Sequence, residues 1–243
     1  MNPSMAVRRT ILLLVTAVLG ACAAPAPAPA PGPAPADAAP VTLGKGLVVD
    51  RLSGEVRMDC QVAMEHGWLE QAVCLAGTRE HESLLATEVA PSRLHAALLL
   101  LGLEPGAPGS WREVPKGDAF AVERIPPRGP RLDLLVRVAG RPDAPLDAWI
   151  HDPVANRAFP AQPWVFGGSV MRPNRPPEPG QHYVADRTGS VVGIVTFGDE
   201  VIGCADVFAD RTEIDAASWQ ARTEAMPPAG TPVVLVIRAH RDR

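Results

Sequence analysis

Cys74 and the run Glu80-His81-Glu82-Ser83 put a thiol, an imidazole, two carboxylates and a hydroxyl within ten positions of one another. Such a set has the side chains for metal ligation, for thiol redox chemistry or for acid–base work. Its spacing fits no known metal helix, because His81-Glu82 is not followed three residues later by a second histidine. Cys60, Cys74, His81 and His95 likewise offer no Cys-x-x-Cys or His-x-x-x-His pair, so the sequence implies neither a metal nor a cofactor. The competing structural account is that His81 and the two glutamates hydrogen-bond a loop between strands. Gly167-Gly168-Ser169 presents a serine but not Gly-x-Ser-x-Gly, since Val170 and Met171 follow, and a tight turn explains it better. Gly198-Asp199-Glu200 is read as a hairpin turn in preference to a calcium loop.

The elements that must position these groups can be read from periodicity. From Gly54, strict alternation puts Val56, Met58, Cys60, Val62 and Met64 on one face and Glu55, Arg57, Asp59 and Gln61 on the other, a half-buried strand. His66-Gly67 breaks the pattern, and Trp68 to Leu75 reads as the returning arm of a hairpin. Whether Cys60 and Cys74 form a disulfide depends on that turn. A three-residue loop at His66 to Trp68 sets them opposite each other. A two-residue His66-Gly67 loop pairs Cys60 with Val73 and turns Cys74 to the other face, and this register buries Leu69, Val73 and Leu75 with the first strand's apolar set.

Pro91 to Leu101 reads as a helix with proline in its first turn and Gly102 as its C-terminal cap, apolar on so many sides that few faces should meet water. Strands are expected at 83–89, 119–125, 132–138, 146–150, 164–170, 181–185, 190–197, 201–205 and 232–237. A second helix is expected from Thr212 to about Ala225. The expected fold is α+β: one strand-rich domain with a mainly antiparallel sheet and two helices, one of them buried.

The N-terminus carries an address. Arg8-Arg9, the apolar stretch Ile11 to Leu19 and the small residues before Cys22 read as an export signal over residues 1–21. That stretch falls well short of the about 20 apolar residues needed to cross a bilayer. Leu19-Gly20-Ala21-Cys22 resembles the lipobox of bacterial lipoproteins, which implies lipidation of Cys22 and anchoring to a cell-envelope membrane. Ala23 in place of aspartate implies the outer membrane in a Gram-negative host. Residues 22–42, the lipidated cysteine and an Ala/Pro-rich tether, cannot bury a core, and the Ala/Pro run favours extended polyproline II. The folded domain is expected at 43–243. Loss of the signal would remove two of the 23 basic residues and none of the 27 acidic ones, making the net charge more negative than −4. A net acidic surface gives no electrostatic reason to bind nucleic acid.

Gly46-Leu-Val-Val-Asp50, Gly54-Glu-Val-Arg-Met-Asp-Cys60, Cys74, Glu80-His-Glu-Ser-Leu-Leu85 and Leu94-His-Ala-Ala-Leu-Leu-Leu-Leu-Gly102-Leu-Glu-Pro-Gly106 together resemble the YdjY-domain proteins, an exported bacterial family. Trp164-Val-Phe-Gly-Gly-Ser169, Tyr183-Val-Ala-Asp186 and Gly198-Asp199 extend the resemblance over most of the chain from Gly44 onward. It implies that Glu80 to Ser83 belongs to the family's pattern, and it names no substrate. Two functions are expected of such a chain. The first is a non-catalytic envelope lipoprotein whose domain binds a partner protein or a small ligand near the membrane. The alternative is an enzyme, thiol-redox or metal module centred on Cys74, His81 and Glu82.

Overall fold

The computed structural model describes residues 39–117, 119–161 and 164–241. The expected export signal, Cys22 and the expected Ala/Pro tether up to residue 38 lie outside the described residues. Eight strands follow one another along the chain and close on themselves. They are β1 (Glu55–Val62), β2 (Gln71–Leu75), β3 (Ser83–Thr87), β4 (Arg131–Arg137), β5 (Trp164–Phe166), β6 (Ser190–Gly193), β7 (Ile202–Gly203) and β8 (Pro232–Ala239). Around the barrel the order is β1-β8-β4-β5-β7-β6-β2-β3, and β3 returns to β1 through Gln61↔Ala86 and Val62↔Leu85. Two seams are parallel, β2 with β3 and β7 with β6, and the other six are antiparallel. Closure leaves these strands no free edge to pair with another chain.

This corrects the expected α+β fold with its mainly antiparallel sheet. The protein is mostly β, a closed mixed barrel with two α-helices among the described residues, α1 (Pro91–Leu100) and α2 (Val184–Thr188). The alternation of β1 is as read: Val56, Met58, Cys60 and Val62 are buried. Its hairpin with β2 does not form. β2 pairs instead with β6 and β3, because Leu69, Ala72, Val73 and Cys74 are buried on both faces of the strand and no edge position could shelter them.

The helix expected at 212–225 is also absent. Asp215 accepts the Ala209 backbone N–H and a bidentate pair of bonds from Arg124, at 2.6 and 2.8 Å, which pins the segment in a turn. Trp219 is buried edge-on against Phe159 and Phe208, where a continuous helix could not place it. Arg124 belongs to a separate hairpin, Ser110–Lys116 with Ala119–Ile125, and clamps its base to the segment after β7 through Val207 O and Asp215. α1 buries one face, Pro91, Leu94, Ala97 and Leu98, and leaves Leu99 and Leu100 exposed, so it is less enclosed than its composition suggests.

Candidate functional site

The residues singled out from the sequence are divided: Cys74 and Ser83 are buried within hydrogen-bonding reach of each other, whereas His81 stands out in solvent. Glu80–Glu82 forms a single 3₁₀ turn between β2 and β3. Glu80 accepts the Gly77 backbone N–H, which holds its carboxyl below the usual range. His81 points outward, its side chain 77% exposed, with Nε2 3.8 Å from Glu82. Glu82 lies beside Arg79 at 3.7 Å and beside Glu70, whose carboxyl is pushed up to about 7 by burial and then by the Glu82 charge. Ser83 and Cys74 face inward. Ser83 is buried and donates to Leu85 O at 2.7 Å. Cys74 is buried with its thiol pushed up by desolvation, the reverse of what a reactive thiolate needs.

Cys60 and Cys74 are free, and β3 lies between them: its Ala86 is the register partner of Cys74 on one side and of Gln61 on the other. Two inter-strand steps come to about 9.5 Å, beyond the reach of a disulfide. Among the described residues no three His, Cys, Asp or Glu side chains converge as metal ligands.

A different set does converge. A cleft of 430 Å³ is lined by Ser92 and His95 of α1, Pro105 and Gly106 just beyond it, Gly167 to Met171 after β5, and Tyr183 at the entry to α2. Close backbone approach makes its floor. A Cβ added to Gly106 would lie 2.0 Å from Arg128 O, and one added to Gly129 would lie 2.1 Å from Phe166 O. Ala107 and Arg128 exchange backbone hydrogen bonds of 2.8 and 2.9 Å, and Gly106 N–H donates to Phe166 O. Gly168 and Ser169 both hold positive φ, so the chain turns left-handed where it meets Pro105 and His95. The reading of Gly167-Gly168-Ser169 as a tight turn with close backbone contact is thus the structure's own arrangement.

That turn aims the Gly168 carbonyl at two side chains. The Tyr183 hydroxyl donates to Gly168 O at 2.6 Å, and His95 Nδ1 lies 3.0 Å from the same oxygen and 2.8 Å from the Tyr183 hydroxyl. A carbonyl only accepts, so the geometry places the imidazole proton on Nδ1. Nε2 then carries a bare lone pair and has no hydrogen-bond partner among the described residues. Burial holds the His95 pKa below its ordinary value and raises that of the Tyr183 phenol, which favours the neutral form of both. The imidazole is further fixed edge-on by Phe166 and Tyr183, with ring centroids at 5.1 and 5.5 Å. Asp186 accepts the Ser92 N–H at 2.8 Å, tying the start of α1 to α2. Ser169 donates to Asp199 O and accepts from the Ala185 N–H, so its hydroxyl serves the turn and is not poised as a nucleophile.

The family model of the YdjY domain matches residues 47–238. The chain belongs to the YdjY-domain family. No curated protein and no solved structure matches it. The cleft and all of the barrel but Ala239 fall within the matched span of the YdjY domain. His95, Pro105-Gly106, Gly167 to Ser169, Tyr183, Asp186 and Asp199 come from segments whose sequences resemble the family, and they meet at or just beneath this cleft. Sequence reasoning read those segments one by one as helix, strand and turn. The signal it passed over was a polar histidine in the otherwise apolar run Leu94 to Leu101.

Proposed function

We propose that this protein is an exported lipoprotein, held on an envelope membrane by lipid on Cys22, whose YdjY domain binds a small neutral ligand in the His95–Tyr183 cleft. The observation that carries the binding reading is the unpaired Nε2 of a neutral, rigidly held histidine in a cleft of ligand size. Among the described residues, no lysine, arginine, aspartate or glutamate lines that cleft. An ionic ligand would therefore lose its hydration without a counter-charge. A ligand with a hydroxyl or amide N–H would donate to Nε2 while its apolar part covers Pro105, Val170 and Met171. The reading is non-catalytic: the Ser169 hydroxyl is engaged by Asp199 O, and Cys60, Cys74 and Cys204 are buried away from the cleft lining. Anchoring is supported by the lipobox resemblance.

The test is ligand-observed NMR with a fragment set of neutral alcohols, amides and short carboxylates, run on wild type and His95→Phe. Neutral donors should bind the wild type alone, and nitrogen shifts should report His95 protonated at Nδ1 with Nε2 perturbed by the bound fragment. Equal binding by the variant, or a preference for carboxylates, refutes the assignment.

A further inference from the structure

The outward side of α1 has an apolar face that the described residues leave exposed. Ala96, Leu99 and Leu100 turn away from the barrel; Leu99 is 47% and Leu100 39% exposed. Leu52, in the turn joining Leu47–Asp50 to β1, is 66% exposed. Arg51 Nε donates to Leu100 O at 3.1 Å, which joins that turn to the helix end as one surface. Beside the leucines runs a groove edged by Arg51, Arg238 and Arg241. Its two carboxylates are already engaged, Glu55 by Arg238 and Asp133 by His240 at 2.7 Å. The surface is therefore apolar in the middle and cationic along its rim.

We infer that this face lies on the lipid bilayer, with the leucines entering the headgroup–acyl boundary and the arginines pairing with anionic phosphates. Two observations select lipid as the occupant. One is the charge complementarity of Arg51 and Arg241 to anionic headgroups, Arg238 being held by Glu55. The other is where the chain enters the domain: Val41 pairs with Val49, two residues before Arg51, so the lipid-bearing segment joins the barrel at the edge that carries this face. The inference rests on the anchoring at Cys22 proposed above. A tether multiplies a weak contact by its high effective concentration, so a small patch suffices.

The test uses the full lipidated protein in vesicles of mixed phosphatidylglycerol and phosphatidylcholine. A spin label is attached through Leu52→Cys, with Val154→Cys, an 84% exposed position in the turn after Ile150–Asp152, as the reference. The native thiols Cys60, Cys74 and Cys204 are buried and stay unlabelled. At position 52 collisions with oxygen should exceed those with a water-soluble nickel chelate, and at 154 the order should reverse. Arg51→Glu with Arg241→Glu should cut the immersed population about tenfold or more, at about 1 kcal/mol for each basic residue near an anionic surface. A label at 52 that faces water as fully as one at 154, on protein that floats with the vesicles, overturns the docking and leaves the anchor standing. The same result with a doubled particle mass would assign the face to a second copy. Protein that stays in the soluble fraction overturns both the anchor and the docking.

Discussion

Glu200→Gln should stabilise the domain above neutral pH and leave it nearly unchanged in mild acid. Glu200 is buried in the turn before β7, where Oε2 accepts the backbone N–H groups of Gly198 and Asp199 at 2.9 and 3.0 Å. Burial pushes its carboxyl up from 4.5 to about 7 against the pull of those two N–H groups, and the adjacent Asp199 pushes the same way. A carboxyl whose folded pKa is raised keeps its proton longer in the folded state than in the unfolded one. Its stabilising contribution is complete below about pH 4.5 and is lost as pH rises through about 7. At about 1.4 kcal/mol per unit, that shift is worth about 3 kcal/mol.

Glutamine mimics the protonated acid, can still accept both N–H groups and does not titrate. Urea unfolding of the two proteins from about pH 4 to about pH 8 should show the variant's advantage growing by about 3 kcal/mol. Glu70 is also raised to about 7, but it is present in both proteins and cancels in the difference. A constant offset across the range would refute the reasoning. So would a variant that weakens as pH rises, which would mean the two N–H groups hold the ionised form despite its burial.

Gly129→Ala should destabilise the domain by about 3 kcal/mol or more, since it adds a Cβ 2.1 Å from Phe166 O at a positive φ. Gly117→Ala, also at positive φ but facing open space, should cost only about 1 kcal/mol. Equal losses in thermal melts would remove the argument for close backbone packing under the cleft. A thiol reagent should modify none of Cys60, Cys74 and Cys204 in the native protein and all three after denaturation without reductant, as the three are free and buried with raised pKa values. Rapid native labelling of any of them would show a strand opening that the closed barrel excludes. Cys22→Ala should shift the protein from the membrane fraction to the soluble one, and unchanged retention would count against lipidation.

What could be read from the sequence was local. The alternation through Val56, Met58, Cys60 and Val62 located β1 and its buried face, and Pro91 with Gly102 bracketed α1 closely. Pairing partners could not be read. Turn chemistry at His66-Gly67 argued for a hairpin, but β2 is buried on both faces and needs two neighbours, β3 and β6, the second of which lies more than a hundred residues away. The segment after Thr212 failed for a related reason: its helical look was overridden by tertiary contacts, the capture of Asp215 by Arg124 and the burial of Trp219.

The cleft shows why chemistry-bearing residue types were a poor guide to the site. Glu80 to Ser83 concentrates functional groups along the chain, yet at a strand entrance consecutive side chains point in different directions, so Ser83 goes inward while His81 goes out to solvent. His95 stands alone in an apolar helix, where a hydrogen-bonded core residue is the simplest structural reading. That reading accounts for Nδ1, which the Gly168 carbonyl and the Tyr183 hydroxyl satisfy, and leaves Nε2 unexplained. The difference between the two nitrogens depends on a left-handed turn at Gly168 that is fixed by Pro105 and closed barrel strands. A one-dimensional pattern can show that a turn and a helix exist; only the closure of the barrel aims the carbonyl of one at the ring of the other.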